Sequence, residues 1–292
     1  MPKNTIFVDA ERLSAPARLK PIIFKDMKRI TKFLVIAAVA ASAAACAPAQ
    51  KTAITAHRGF WNCEEAGYAQ NSIKALEMAQ VNQFWGSEFD VQMTRDLVLI
   101  VNHDNSIDGM KIWDHDFADF KDCRLKNGEK IPTLDQYLTQ GEKSDKTVLV
   151  CELKSQGDKA HEDYMTDMAV KALQAHRLLD PSRVIFISFS MNICHRLAGL
   201  CPGFTVQYLG SELSPQEIAN KGVNGIDFHF KTFTKNPGWL PQAKAIGMSS
   251  NAWTVDKEED IKSMVDLGVD CITTNEPLRV RGIVGSKEQK VK

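Results

Sequence analysis

Seven side chains capable of acid, base or ionic chemistry lie at the ends of short apolar runs in this 292-residue chain. Glu88 and Asp90 are two residues apart, and so are Glu152 and Lys154; on a strand, residues at that spacing point to the same face. The other three are His57, Arg58 and His103. If the runs are neighbouring strands, this spacing predicts that the side chains share one site.

Three carboxylates on one inward face are costly to bury together unless a positive charge offsets their repulsion. A hard divalent cation does this, and an all-oxygen ligand set favours Ca²⁺ or Mg²⁺ over zinc. The alternative is a purely structural ion-pair network of the acids with Arg58 and Lys154. Two histidines converging on the same place favour an active site over that network.

The elements that position these residues alternate along the chain. Strands are predicted at 54–57, 87–91, 148–153, 184–189, 205–209, 225–229, 249–255 and 270–274. Amphipathic helices are predicted at 72–81, 134–140, 161–175, 191–199, 215–220, 239–246 and 258–267. Eight strands alternating with helices over about 250 residues predict an α/β fold, a (β/α)₈ TIM barrel, whose sites lie at the carboxyl ends of the strands. A doubly wound sheet fits less well, because no glycine-rich phosphate loop follows a strand.

One strand-like run, at 98–103, lies too close to the second barrel strand for a parallel crossover. It is therefore predicted to return antiparallel, as a β-hairpin extension. With the turn centred on Arg95 and Asp96, position i pairs with 191 − i, which places His103 opposite Glu88. Residues 105–132 are polar and are predicted to form a small surface insertion, and residues 281–292 a disordered tail.

The ordered motifs of residues 52–280 resemble those of the glycerophosphodiester phosphodiesterase family. The motifs are Ala56-His-Arg-Gly59, Asn71-Ser72, Glu88-Phe-Asp90-Val91, Thr94, Val101-Asn-His103-Asp104, Ile131-Pro-Thr-Leu134, Glu152-Leu-Lys154, Ser188-Phe-Ser190, Trp253-Thr-Val255 and Ile272-Thr-Thr274. The resemblance implies a metal-dependent barrel enzyme that hydrolyses glycerophosphodiesters to glycerol 3-phosphate and an alcohol.

The resemblance also implies a role for each matching residue. Glu88, Asp90 and Glu152 would be metal ligands, and His57 and His103 the acid/base pair. Arg58 and Lys154 would contact the phosphate, and Trp253 would line the substrate pocket. Which histidine is the base stays open. So do two alternative functions: a lysophospholipase D-like phosphodiesterase with an apolar rim, and a non-catalytic ligand-binding lipoprotein.

Two positions depart from the family pattern. Gln70 stands where the family usually has a glutamate, which removes one acidic group near the site. The turn after Thr94 lacks the glycine that is common there, so a hairpin register shifted by one residue is the alternative. The assignment of site residues does not depend on that register.

The N-terminal segment predicts export. Basic residues precede a short apolar run that closes on three alanines and Cys46, as in a secretory signal. We interpret residues 1–26 as an upstream extension, 27–45 as a signal peptide, and 46–51 as a linker after lipid attachment at Cys46. The protein is thus expected to be a periplasmic or outer-membrane-anchored bacterial lipoprotein, with soluble export as the alternative.

The charge balance changes once this segment is set aside. The whole chain has 36 basic and 36 acidic residues; without the 8 basic and 3 acidic residues of segment 1–45, the remaining 247 residues have 28 and 33. An acidic body argues against a nucleic-acid partner, and the membrane is expected to be reached only through the lipid anchor. The spacing of the other six cysteines does not resemble a zinc site; Cys194 and Cys201 form the one plausible disulfide. The oligomeric state cannot be inferred.

Overall fold

The computed structural model describes residues 52–290, with side chains described as far as residue 285. The predicted extension, the signal peptide and Cys46 lie outside these residues. The strands are β1 (Ala53–Ala56), β2 (Gly86–Met93), β3 (Leu99–Val101), β4 (Ser106–Ile107), β5 (Met110–Lys111), β6 (Val148–Leu153), β7 (Val184–Ser188), β8 (Thr205–Tyr208), β9 (Gly225–His229), β10 (Ser249–Trp253) and β11 (Cys271–Thr274). The α-helices are α1 (Ile73–Val81), α2 (Leu134–Gly141), α3 (Lys159–Ala175), α4 (Met191–Leu200), α5 (Pro215–Asn220), α6 (Phe230–Lys235), α7 (Trp239–Ala245), α8 (Glu258–Leu267) and α9 (Pro277–Lys290).

Eight of the strands form a closed parallel barrel. Their order is β1, β11, β10, β9, β8, β7, β6, β2, and the pairing of β1 with β2 closes the ring. The predicted (β/α)₈ TIM barrel is confirmed. Closure places the carboxyl ends of β1, β2 and β6 next to one another, which is the arrangement that the candidate site needs.

The barrel strands alternate between two apolar environments. Outward residues such as Phe89 and Val91 belong to the main core beneath the helices, and the Phe89 ring stacks on Tyr137 of α2 at 4.6 Å between centroids. Residues on the inward face of the strands, Val150 and Ile187 among them, form a second, smaller cluster. The alternation of period two therefore separates helix packing from the barrel interior.

The predicted hairpin is present, but its predicted register is wrong by one residue. β2 and β3 pair antiparallel with Val91 opposite Val101 and Gln92 opposite Ile100. The reason is a three-residue loop in place of a two-residue one: Thr94 N–H donates to Val98 O (3.0 Å), and Leu97 adopts a left-handed conformation with φ of 66°. Such loops accept a left-handed residue in the third position.

Residues 105–132 form a small structured insertion. It contains the β4–β5 hairpin, two short 3₁₀ helices (Ile112–Asp114 and Phe117–Phe120) and its own apolar cluster around Ile112 and Phe120. The Glu129 carboxylate accepts backbone N–H groups of Ile73 (2.9 Å) and Lys74 (3.2 Å). These N–H groups lack partners within α1, so the insertion helps to fasten the start of that helix.

Two further predictions are corrected. Within the tail 281–292 that was expected to be disordered, residues 281–290 continue α9, and Val280 and Val284 of this helix are buried in the main core. The Cys194–Cys201 disulfide is absent: all six cysteines within residues 52–290 are free. In that same part of the chain, no helix is both long and apolar enough to cross a bilayer.

Candidate active site

Three buried carboxylates meet at the carboxyl ends of β2 and β6. Glu88, Asp90 and Glu152 are 2%, 1% and 7% exposed, and Asp90 lies opposite Glu152 in the parallel pairing of the two strands. Each of the three offers one oxygen within 4.8 Å of the others. The geometry brings the predicted ligand set together.

Hydrogen bonds from the loop between β1 and α1, together with a lysine, fix these acids. The backbone N–H of Arg58 donates to Glu88 Oε2 (2.7 Å), and Asn71 Nδ2 donates to Asp90 Oδ2 (2.8 Å). Lys154 Nζ lies between Asp90 Oδ1 (3.1 Å) and Glu152 Oε1 (2.9 Å). Glu88 Oε1 has no hydrogen-bond partner within residues 52–290.

Burial and mutual repulsion shift the pKa values of the three acids in different directions. Burial, together with the charges of Asp90 and Glu152, raises the pKa of Glu88 well above its usual value. Burial raises the pKa of Glu152 to about 7, and Asp90 adds to this while Lys154 opposes it. Burial alone would raise the pKa of Asp90 as well, but Lys154 and His103 lower it. Two acids with raised pKa values and one buried oxygen without a partner fit a hard divalent cation, which these residues can hold.

His57 lies beside this cluster, at the end of β1. Its Nε2 is 4.0 Å from Glu88 Oε2, and its Nδ1 is 2.9 Å from Asn275 Oδ1. Burial, followed by the charge of Arg58, lowers the pKa of His57 to about 4. A neutral imidazole with one nitrogen facing the site can accept a proton.

His103 approaches the site from the hairpin, beyond the end of β3. Asn102 N–H donates to Asp90 O (3.0 Å), and the buried Gln92 amide donates to the carbonyl oxygens of His103 and Asp104 at 3.1 Å each. These bonds hold the backbone of His103 in place although it is not part of a strand. Its Nδ1 is 2.7 Å from Asp104 Oδ1, and its side chain is 37% exposed.

Arg58 is the other cation of the site, and it stands in a left-handed conformation with φ of 54°. Its Nη1 donates to Gln70 Oε1 (2.5 Å), and its Nε lies 3.8 Å from Asp90 Oδ2. Gly59 follows with φ of 77°, and a Cβ there would lie 2.7 Å from Ala75 Cβ. The turn therefore requires glycine at 59, and Gln70 holds Arg58 without neutralising it.

The opposite side of the mouth is aromatic. Trp253, at the end of β10, donates its indole N–H to Asp227 O (2.8 Å). Its ring meets Phe189 and His229 edge-on, with centroids at 5.7 Å and 5.4 Å. Trp253 thus lies at the barrel mouth, and its role in lining the substrate pocket stays a prediction.

A cavity of about 360 Å³ opens next to the charged groups. Its wall includes Trp61 and Tyr68 from the loop after β1, His103 from the hairpin and Lys126 from the insertion. For a lysophospholipase D-like activity, Phe60, Trp61, Phe84, Trp85 and Trp239 could line an apolar rim, although core packing is the expected role for most of them. Of these residues, Trp61 lines the cavity. Phe60 and Phe84 pack on each other in the core (5.3 Å between centroids), and Trp239 packs on the outward-facing Phe228.

Several residues near the site escaped the sequence analysis. Asn275 follows β11 and contacts His57, Asp256 follows β10 and binds Asn275, and Phe189 follows β7. Asp227 is buried in the barrel, and burial raises its pKa to about 8. Their positions at the carboxyl half of predicted barrel strands could have indicated that they lie near the site. Their hydrogen-bond and ring partners could not be predicted, because these partners lie on strands far apart in sequence.

Comparison with known proteins identifies the family of the chain. Residues 57–279 match the Glycerophosphoryl diester phosphodiesterase family. The crystal structure of a glycerophosphodiester phosphodiesterase from Parabacteroides distasonis is 41% identical, with a TM-score of 0.79 over 82% of this chain and 100% of that one. The glycerophosphodiester phosphodiesterase of Caldanaerobacter subterraneus is 29% identical over 242 residues, covering 78% of this chain and 95% of that protein.

A more distant structure shares the fold. An Oleispira antarctica phosphodiesterase, described in complex with the product sn-glycerol-3-phosphate, is 22% identical with a TM-score of 0.67 over 80% of this chain and 97% of that one. With the barrel, the acid cluster and the match over residues 57–279 together, the chain belongs to the glycerophosphoryl diester phosphodiesterase family of enzymes.

Proposed function

We propose that the protein hydrolyses glycerophosphodiesters to glycerol 3-phosphate and an alcohol, using a divalent cation and two histidines. The observation that carries the proposal is the buried cluster of Glu88, Asp90 and Glu152, flanked by His57 and His103. The product named for the Oleispira antarctica relative agrees with this substrate class.

Glu88, Asp90 and Glu152 would hold the cation, Ca²⁺ or Mg²⁺. When bound, it supplies positive charge to the phosphate oxygens as charge develops on them. Arg58 and Lys154 act beside it. Gln70 is a neutral partner of Arg58 and does not offset its positive charge, and Lys154 lies between two acids at the end of β6. Positive groups held in a buried site oppose the repulsion that protects a phosphodiester from attack.

The two histidines would move the protons. One accepts the proton of the neighbouring glycerol hydroxyl while its oxygen bonds to phosphorus, and the other protonates the leaving alcohol as its P–O bond breaks. The product of this step is a cyclic phosphate, which water opens with the two roles reversed. His57 follows β1 and His103 follows β3 of the hairpin, so the two imidazoles would approach the phosphate from different sides.

The first experiment measures release of glycerol 3-phosphate from glycerophosphocholine, with EDTA and then with Ca²⁺ or Mg²⁺ restored. We expect activity to disappear with EDTA and to return with one of the cations. The matched pair is Glu88→Gln in the cluster and Glu77→Gln on the exposed side of α1, and only Glu88→Gln should be inactive. Activity that survives EDTA, or inactivity of the wild type with every cation and diester tried, contradicts the proposal.

The cyclic route has its own test. His57→Ala or His103→Ala enzyme, if slowed in the second step, should accumulate a cyclic phosphate visible by ³¹P NMR. Direct entry of ¹⁸O from water in a single step, with no cyclic product, would exclude the route while leaving the hydrolase intact. Glycerophosphocholine assayed beside its lyso form separates the proposed substrate class from a lysophospholipase D-like preference.

We further propose that the protein is exported and lipid-anchored at Cys46. The support is the basic and apolar order of residues 27–45, followed by cysteine. Labelling with a radioactive fatty acid should mark the wild type but not Cys46→Ser. An unlabelled wild-type protein found in a soluble exported form would favour simple cleavage after the three alanines.

A further inference from the structure

The imidazole of His57 is held from behind by a chain of side chains that have no part in the reaction described above. Asn275 Oδ1 lies 2.9 Å from His57 Nδ1 and accepts the indole N–H of Trp61 (3.0 Å). Asn275 Nδ2 donates to Asp256 Oδ2 (2.8 Å). The residues come from the loop after β1, the loop after β10 and the end of β11.

Two neighbours decide which way the Asn275 amide points. An indole nitrogen can only donate a hydrogen bond, so the atom that meets Trp61 must be the amide oxygen. Asp256 accepts three donors: the backbone N–H of Asn275 (2.8 Å), the hydroxyl of Thr274 (3.0 Å) and Asn275 Nδ2 (2.8 Å). The amide nitrogen therefore faces Asp256. The reversed amide would set a donor against the indole N–H of Trp61 and an acceptor against the Asp256 carboxylate.

An amide oxygen at His57 Nδ1 requires a proton on that nitrogen. We propose that Trp61, Asn275 and Asp256 are positioning residues that hold His57 in the tautomer protonated at Nδ1, so that Nε2 presents its lone pair to the site. The inference rests on the proposed function, in which His57 exchanges protons with the substrate. None of the three hydrogen-bonds to Glu88, Asp90 or Glu152. Asn275 and Asp256 act through the imidazole, and Trp61 also lines the cavity.

The test exchanges the two polar partners. Asp256→Asn alone leaves one acceptor for three donors. The backbone N–H of Asn275 cannot turn, whereas its side-chain amide can, so we expect the Asn275 amide to flip and present N–H to His57. The imidazole then carries its proton on Nε2, and kcat falls by about 100-fold or more while KM changes little.

The double variant Asp256→Asn/Asn275→Asp restores every donor–acceptor pair. The amide introduced at position 256 would keep its oxygen on the backbone N–H of residue 275 and on Thr274, and would donate its own N–H to the new carboxylate. That carboxylate accepts from His57 and Trp61, as the amide oxygen does. We expect kcat to recover to within about tenfold of the wild type, although each single change is harmful.

The direct readout is the tautomer itself. The ¹⁵N chemical shifts of His57, assigned by their loss in His57→Gln, should show Nδ1 protonated in the wild type and in the double variant, and Nε2 protonated in Asp256→Asn. Trp61→Phe keeps a ring but removes one of the two donors at Asn275, and should give a smaller loss of kcat. Asp145→Asn, on the exposed loop before β6, is the matched control and should behave like the wild type.

The outcomes are separable from those of the proposed function. If the wild type hydrolyses no phosphodiester, the function is wrong, but the ¹⁵N spectra still report the tautomer. Nε2 protonated in the wild type, or Nδ1 still protonated in folded Asp256→Asn, overturns the inference. A folded double variant that binds Ca²⁺ or Mg²⁺ in calorimetry as the wild type does, yet stays as slow as Asp256→Asn, overturns it as well.

Discussion

The mouth of the barrel has two halves of opposite character. The charged half lies at the ends of β1, β2 and β6 and contains His57, Glu88, Asp90, Glu152 and Lys154. The aromatic half lies at the ends of β7, β9 and β10 and contains Phe189, His229 and Trp253. Each acid of the charged half lies next to another acid or next to a positively charged side chain. The residues of the aromatic half contact one another through their rings, and Trp253 also donates a hydrogen bond to a backbone carbonyl.

The two halves are expected to contribute differently to stability and to function. In the charged half, three buried acids repel one another and destabilise the fold, and the proposed cation would offset that repulsion. In the aromatic half, the side chains pack on one another, and under the proposed function Trp253 would also contact the substrate. Substitution of an acid in the charged half should therefore harm activity while helping the cation-free fold, and substitution in the aromatic half should cause a smaller loss of both.

The largest effect is expected for Glu88→Gln. We expect kcat to fall by about 10²–10³-fold, because a ligand of the proposed cation is lost. Without cation, the free energy of unfolding should rise by about 1 kcal/mol or more, because the variant removes a carboxyl group whose pKa is raised by burial and by the neighbouring acids. Calorimetry and urea unfolding measure this. A variant that is both inactive and less stable would contradict the opposition between the two halves.

The second effect concerns pH. Glu152 has a pKa of about 7 in the fold, above the value of about 4.3 in an unfolded chain. Between these values the folded state binds the extra proton, so this carboxyl makes the cation-free protein less stable as pH rises from about 4.5 to about 7, by up to about 3 kcal/mol. His57, with its pKa lowered to about 4, has the opposite slope over the same range.

The contributions of Glu152 and His57 to the pH dependence of stability are separated by comparing a variant with the wild type. The stability of Glu152→Gln relative to the wild type should increase from pH 5 to pH 7, and saturating Ca²⁺ or Mg²⁺ should reduce that increase. Asp227→Asn is the matched variant for the buried acid of β9. Its pKa of about 8, against about 3.9 in an unfolded chain, extends the corresponding increase up to about pH 8. The cation should affect this increase less, because burial is the main cause of the raised pKa and the charge of Glu152 a smaller one. A cation effect of equal size in both variants would argue against a cation site confined to the charged half.

A smaller effect is expected for Trp253→Phe. The ring contacts with Phe189 and His229 are largely kept, but the hydrogen bond to Asp227 O is lost. We expect KM to rise by up to about tenfold, which corresponds to about 1.4 kcal/mol, with kcat close to that of the wild type. Initial rates over a range of glycerophosphocholine concentrations measure both. A fall in kcat with KM unchanged would place Trp253 in the chemistry instead of in binding.

The smallest effect is expected at the insertion. Glu129→Ala removes the carboxylate that accepts the first N–H groups of α1, and should lower the free energy of unfolding by about 1 kcal/mol. Asn71 lies just before α1 and binds Asp90, so a loss of activity of a few fold is expected as well. Asp158→Ala, which removes the N-cap of α3, should cost similar stability and leave kcat unchanged.

Much of the fold and of the candidate site was predictable from particular residues. The spacing of Glu88 and Asp90, and of Glu152 and Lys154, placed each pair on one face, because side chains alternate along a strand whatever surrounds it. Ser72 and Thr133 cap α1 and α2 at the predicted starts. The hairpin register was missed because it depends on the left-handed conformation of Leu97, which its residue type does not suggest.

The sequence by itself determined the order of the elements, the faces of the strands and the chemical groups at their ends, because these follow from local periodicity. Only the tertiary structure decided which groups meet. The pairing of β1 with β2 and β11 joins residues separated by much of the chain: His57 contacts Asn275, 218 positions away, and Asp90 contacts Lys154, 64 positions away. Such contacts depend on closure of the whole ring, and local patterns do not encode them.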